Sequence, residues 1–198
     1  MVKKIYLDHA ATTAVDPEVV QAMRPYWTEK FGNASSVHRW GREAREAIER
    51  AREEIALVLG AGLAQEIVFT SGATEANNLA LKGVVEATEV SNPHIIVSSI
   101  EHHCVLDAAQ HLEKQGVAVT WLKVDHRGLV DPAEVAGALR DNTVLVAVMW
   151  GNNEVGTVEP IEEIAEVVLE ARRRLKSDYH YLHTDAVQVV PHLPINVQ

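Results

Sequence analysis

The feature that most constrains this chain is an alternation. Short, largely apolar runs at Glu66–Thr70, Ile95–Ser99, Val117–Leu122, Val144–Trp150 and Tyr179–Thr184 are separated by longer stretches with helical spacing. The Val144–Trp150 run is apolar at every position, so both faces of such a strand need cover. Strands covered on both faces and joined by helices predict an α/β fold, a mostly parallel sheet with helices on both sides. At 198 residues and 47% hydrophobic, the chain suits one domain with a sizeable core, and the aromatic share of 5% favours this layered core over an all-β one.

Local signals place the helices. Lys4–Leu7 is a short extended piece, and Asp16-Pro17 opens a helix that should run to about Glu29, with Asp as N-cap and Pro at the first position. A Gly/Asn/Ser loop at Phe31–Ser36 precedes a long helix from about His38 to Leu59, closed by Gly60. Further helices are expected over Ala73–Ala87, over Cys104–Gln115 with Gly116 as its stop, after the capping box Asp131-Pro-Ala-Glu134, and over Pro160–Leu175.

Charge and cysteine content narrow the function. A formal net charge of −10 argues against nucleic acid, whose backbone is held by clustered Lys and Arg. The basic run Arg39–Arg52 is interrupted by Glu at helical spacing, which suits intrahelical pairing on an exposed face. A single cysteine, Cys104, excludes an internal disulfide and suits a reducing compartment, and no apolar run approaches a membrane span. A soluble, cytoplasmic protein is the expectation.

On a parallel sheet, ligands sit beyond the carboxyl ends of the strands. The residues there are Ser71–Glu75, Glu101–His103, Gly151–Gly156 and Asp185–Gln188, and all four sets are polar. Ser71-Gly-Ala-Thr74 reads either as a phosphate cradle at a helix start or as a plain capped helix. Neither a Walker sequence nor G-x-G-x-x-G occurs. Of Glu101-His102-His103, one imidazole could stack on a flat ring and move protons near neutral pH, or be a solvated loop residue. A metal is disfavoured, because no H-E-x-x-H or Cys/His spacing accompanies these residues. Asn152-Asn153 suits a turn or an amide contact to a ligand oxygen. Asp185 shares a strand face with His183 and would need a cation such as a pyridinium nitrogen, or else it caps the next turn.

Six segments, in order, carry a family resemblance. They are Tyr6-Leu-Asp-His-Ala-Ala-Thr-Thr13, Phe31-Gly-Asn-Ala-Ser-Ser-Val-His38, Phe69-Thr-Ser-Gly-Ala-Thr-Glu-Ala-Asn-Asn78, Glu101-His102, Asn152-Asn-Glu-Val-Gly156 and His183-Thr-Asp-Ala-Val-Gln188. Together they resemble the NifS/IscS-type cysteine desulfurases, within the fold-type I pyridoxal-phosphate enzymes. The resemblance implies the N-terminal part of a cofactor-binding large domain, incomplete over residues 1–198. It implies that Ala73 and Thr74 bind the cofactor phosphate and that His102 stacks on the ring and acts as acid/base. It further implies Asn153 near the phenolic oxygen, Gln188 hydrogen-bonding that oxygen, and Asp185 paired with the ring nitrogen. The implied reaction converts L-cysteine to L-alanine and leaves an enzyme persulfide. That sulfur serves iron–sulfur cluster assembly or thiolation, through a sulfur-acceptor or scaffold protein, in a homodimer.

The chain departs from the family in two ways. The Ser-x-His-Lys stretch that carries the cofactor, the persulfide cysteine and the small C-terminal domain are absent from these residues. Arg172–Tyr181 is longer than the usual link, and Val187 stands where Thr is frequent. Lys82 and Lys123 read as surface residues and Cys104 as a small buried helix residue, so none is assigned the missing roles. Alone, the chain is expected to release no alanine from L-cysteine. Two alternatives stay open: a non-catalytic subunit that pairs with a separate C-terminal half, and a related selenocysteine lyase or class V aminotransferase. An unrelated nucleotide-binding enzyme is disfavoured by the missing phosphate-loop fingerprints.

Overall fold

A computed structural model describes residues 4–190 and 192–198. The chain folds as two compact units, one built from residues up to Phe69 with Pro194–Gln198, the other from Thr70–Leu193.

The first unit is helical. Asp16 caps α1 (Pro17–Met23), its Oδ1 accepting from the Glu18 N–H at 2.8 Å. The expected single helix to Glu29 is instead broken at Arg24. Pro25 has no N–H to continue the ladder, and it opens a separate short α2 (Pro25–Thr28). The long α3 (Arg39–Leu59) matches expectation at both ends. His38 Nδ1 accepts from the Gly41 N–H at 3.3 Å, and Gly60, at φ 72°, closes the helix in the left-handed region. The Arg39–Glu43 pair (2.7 Å) lies on its exposed face, where it contributes little, and Glu49 pairs with the partly buried Arg52 at 3.2 Å.

The predicted strand Glu66–Thr70 does not form. Ala64–Glu66 is a 3₁₀ turn, and residues 67–70 run without a ladder partner among the described residues. A strand exists through its neighbour, and local β propensity cannot supply one. Arg52 takes over part of that role: its Nη1 donates to the Ile67 carbonyl, and its guanidinium lies over the Phe69 ring, 4.9 Å from the centroid.

The second unit is the α/β layer. Its order is α4 (Ala73–Ala87), β1 (His94–Ser98), α5 (His103–Lys114), β2 (Ala118–Leu122), α6 (Pro132–Ala138), β3 (Thr143–Ala147), α7 (Ile161–Leu175) and β4 (Tyr181–His183). All pairings are parallel, in the order β2-β1-β3-β4. Period-two alternation sorts the strand residues to two faces. Ile95 and Val97 of β1 and Leu145 and Ala147 of β3 pack with Leu81 of α4 and with Val105, Ala109 and Leu112 of α5. Ile96, Val146 and Val148 pack on the other side with Val135 of α6 and with Ile164 and Val168 of α7. Helices therefore cover both faces, as the continuous apolar runs required.

Two strands reach beyond their formal ends, toward their predicted limits. The Val148 N–H donates to the His183 carbonyl (3.1 Å) and the Trp150 N–H to the Asp185 carbonyl (3.0 Å). The ladder thus carries the site residues after β4 into register with those after β3. Asp131 caps α6, its side chain accepting from the Ala133 N–H at 2.8 Å, with Pro132 at the first helical position. Asp131→Ala should cost about 1 kcal/mol, read from urea unfolding. Among the described residues no helix is long and apolar enough to cross a membrane.

Candidate functional site

The order β2-β1-β3-β4 makes a topological switch point between β1 and β3. From β1 the chain goes to β2 on one side, then returns to β3 on the other. Crevices open beyond the carboxyl ends of strands at such points. The residues that follow β1 and β3 there are Glu101-His102 and the 148–153 segment.

Glu101 anchors that place. It is buried, and its Oε1 accepts from Ser98 Oγ and from the Met149 N–H, each at 2.6 Å. One carboxylate oxygen thus ties the ends of β1 and β3 together. Burial pushes this carboxyl up to about 7 against the pull of those two hydrogen bonds, and the charges of Asp185 and Glu159 push the same way. Its Oε2 is buried and has no hydrogen-bond partner among the described residues.

His102, next in sequence, is exposed and serves as the N-cap of α5. Its Nδ1 accepts from the Cys104 N–H at 3.2 Å and lies 3.0 Å from Cys104 Sγ. With Nδ1 an acceptor, the neutral ring carries its proton on Nε2, the nitrogen turned away from the helix. Cys104 is half-buried rather than fully buried, and its sulfur touches both His102 and Asn77.

Asn77, on the second turn of α4, is 3% exposed. Its Nδ2 donates to Asp185 Oδ2 at 2.8 Å and to Cys104 Sγ at 3.2 Å, and its Oδ1 lies 3.0 Å from His183 Nε2. Asp185 Oδ1 accepts from the Val187 N–H at 3.1 Å, so the residue also caps its turn as expected. His102, Cys104, Asn77, Asp185 and His183 therefore form one connected set.

The first turn of α4 opens beside it. Glu75 folds back to Ser71, its Oε2 accepting from the Ser71 N–H at 2.6 Å; the Ser71 side chain first and this N–H second lower its pKa. The first helical bond is Ala76 N–H to the Gly72 carbonyl, and among the described residues the Ala73 and Thr74 N–H groups have no partner. A Cβ added at Gly72 would meet nothing within 4 Å, so the approach to these donors is open. Exposed Ser71 and Thr74 hydroxyls flank it. Such a start of a 15-residue helix suits a phosphate.

Of the two asparagines after β3, Asn152 is structural. Its Oδ1 accepts from the Glu154 and Val155 N–H groups, both at 2.8 Å, and its Nδ2 donates to the Ile100 carbonyl at 2.9 Å. That turn leaves the Asn153 amide with no partner among the described residues. Gln188 lies against the same loop: a Cβ on Gly151 would come within 3.8 Å of Gln188 Cβ and 2.7 Å of Val189 Cγ2. Only Gly permits that approach.

Of the expected site residues, His102 and Asp185 are joined by hydrogen bonds through Cys104 and Asn77. Ala73 and Thr74 stand one turn before Asn77 on α4, and Asn153 and Gln188 flank Gly151. The donor set fits a flat group with phosphate at one end and a protonated nitrogen at the other. Sequence reasoning passed over Asn77 and gave Glu101 no role of its own. Burial of a polar residue is the signal for both, and it is not readable from spacing. Among the described residues no group of three or more His, Cys, Asp or Glu could hold a metal ion.

Fold and site define an α/β protein with polar residues gathered at a switch point, beside a helix start with open N–H groups. The chain belongs to the class-V aminotransferase family, whose pattern matches residues 5–198. It is 50% identical over 197 residues to the cysteine desulfurase IscS of Dictyoglomus turgidum, covering 100% of this chain and 48% of that protein. It is 48% identical to the cysteine desulfurase IscS of Methanosarcina thermophila, covering 99% of this chain and 46% of that one. A solved NifS-like protein superposes with a TM-score of 0.91 at 39% identity, over 98% of this chain and 52% of its own. The chain spans about half the length of the curated relatives it matches.

Proposed function

We propose that this chain is the N-terminal part of the cofactor-binding domain of a pyridoxal-phosphate-dependent cysteine desulfurase. The observation that carries the reading is the connected set of Asp185, Asn77, Cys104 and His102 at the switch point, beside the open start of α4. The Ala73 and Thr74 N–H groups and the Thr74 hydroxyl would hold the phosphate. Asp185 would accept from the ring nitrogen and keep it protonated. His102 would cover one ring face and hold or move a proton at Nε2. Asn153 and Gln188 would contact the ring oxygen. When bound, pyridoxal phosphate supplies an electron sink for breaking bonds of an amino-acid substrate.

The similar proteins' names support L-cysteine as that substrate. Its Cβ–S bond breaks, the sulfur passes to an enzyme cysteine as a persulfide, and L-alanine leaves. The lysine and cysteine that the family resemblance assigns to these steps would lie in the part of the relatives' length that this chain does not span. We place the working protein in the cytoplasm, as a homodimer that hands sulfur to an acceptor or iron–sulfur scaffold protein. Among the described residues the outer edge of β4 is unpaired, and an apolar groove beside it is lined by Leu79, Val84, Val144, Tyr179 and Tyr181. That edge favours completion of the sheet by further chain, continuous or as a separate C-terminal half.

Titration of the 198-residue chain with pyridoxal phosphate, followed by absorbance, tests the reading. Binding should be measurable, and Asp185→Ala should weaken it at least about tenfold, the loss of one charged hydrogen bond. The chain alone should release no alanine from L-cysteine, while the protein completed to its relatives' length should release it. Absence of cofactor binding to the parent would remove the reading.

A further inference from the structure

We propose that Asn77 is a positioning residue. Its amide holds the Asp185 carboxylate toward the ring nitrogen and holds His183 as the neutral Nε2–H tautomer. The cofactor-facing part rests on the function proposed above; the hydrogen-bond arrangement stands on the geometry alone.

That geometry allows one assignment of the amide. An ionised carboxylate only accepts, so the Asn77 atom 2.8 Å from Asp185 Oδ2 must be Nδ2. Its second hydrogen points at Cys104 Sγ, 3.2 Å away. Oδ1 is then left to face His183 Nε2 at 3.0 Å, which must carry the proton. Both donors and the acceptor of a buried side chain are thereby used, as burial of an amide requires. His183 is held below the ordinary histidine range by burial, with the Asp185 charge acting in the opposite direction.

Nothing else among the described residues pins Asp185 Oδ2. Oδ1 has the Val187 N–H of its own turn, a bond that leaves the carboxylate free to pivot about it. Asn77 removes that freedom, and a carboxylate retains lone pairs for a third donor. Its place matters as much as its amide. Asn77 stands four residues after Ala73, one turn and about 6 Å along a single helix. One rigid element would thus set both the phosphate end of the site and the clamp on the carboxylate, by pre-organisation of the kind that binding sites depend on.

The test uses the labelled full chain, its Asn77→Asp and Asn77→Leu variants, and each on an Asp185→Ala background. Long-range proton–nitrogen NMR reads the His183 tautomer and titration without cofactor. The parent should show the Nε2–H tautomer, and Asn77→Asp should raise the His183 midpoint, because residue 77 and Asp185, 2.8 Å apart, then share one proton and the charge they keep borders Nε2. Asn77→Leu should weaken pyridoxal phosphate binding about tenfold in the parent and hardly at all when Asp185 is already Ala. Asn77→Asp is isosteric, so the His183 readout survives should Asn77→Leu fail to fold. Unchanged His183 tautomer and titration in Asn77→Asp would overturn the proposal. So would an equal loss of binding from Asn77→Leu on both backgrounds. A parent that binds no cofactor, with the His183 changes as expected, would instead remove the proposed function and leave Asn77's hold on the pair standing.

Discussion

Glu101→Gln should gain about 3 kcal/mol of unfolding free energy on the parent between pH 4.5 and pH 8. The carboxyl titrates near 4.5 when exposed and is pushed up to about 7 in the fold. Between those values the folded chain holds a proton that the unfolded chain has released. Stability contributed by this group is complete below pH 4.5 and lost as pH rises through 7. A displacement of about 2.5 units at ~1.4 kcal/mol each gives the size. Gln keeps an oxygen for Ser98 and for the Met149 N–H but cannot ionise. Its own unmatched N–H groups change stability by the same amount at every pH, so the slope is the quantity to read. Urea unfolding across the pH series should give diverging curves for the two proteins. Parallel curves would mean that Glu101 does not titrate in this range.

How far the sequence announces this site depends on how local each signal is. His102 and Asp185 are legible because each follows an apolar run at the carboxyl end of a strand, and Thr74 because an apolar run and a helix start flank it, although that run forms no strand. The α/β layer is legible for a related reason: Ile95–Val97 and Val144–Val148 are apolar on both faces, and only helices on both sides can cover them. Asn77 is different. It sits inside an ordinary helix, and its partners Cys104 and Asp185 lie 27 and 108 residues away. The same asymmetry explains the strand expected at Glu66–Thr70, where Ile, Val and Phe satisfy a local β preference but among the described residues no neighbouring strand supplies a ladder. Pro25 is a plainer case: its missing N–H is written in the sequence, yet the expected helix runs through it to about Glu29 where the chain breaks at Arg24. Cys104 carries a mixed lesson. Its helix placement is local information, whereas its contact with His102 depends on the N-cap geometry of α5.

His94→Gln should reverse the acid limb that Glu101→Gln exposes. His94 opens β1, is fully buried, and bridges the neighbouring strands, with Nδ1 2.8 Å from Thr143 Oγ1 and Nε2 2.8 Å from Thr120 Oγ1. Burial, reinforced by the Arg140 charge, lowers it to about 4 from an ordinary 6.5. The unfolded chain therefore takes up a proton between pH 6.5 and 4 that the folded chain refuses, and stability falls as the pH drops through that window. Glu101 acts with the opposite sign over 4.5 to 7, so across the overlap the two nearly cancel in the parent. Removing Glu101 should leave a steep acid-side decline, to which the lowered His183 adds. Removing His94 should leave stability rising as the pH falls from 7 to 4.5. The two groups sit at opposite ends of a five-residue strand, roughly 17 Å long, and share no partner, so their effects should add in the double variant. A double variant as flat as the parent, with single variants sloping in opposite directions, is the expected pattern. Single variants with the same slope as the parent would show that neither buried group governs the pH response. The pairing has a structural reason: the end of β1 away from the site is fastened by a neutral imidazole, and the end at the site by a carboxyl that keeps its proton. Both fasteners work uncharged, which is what a fully covered sheet demands of polar groups at its strand ends.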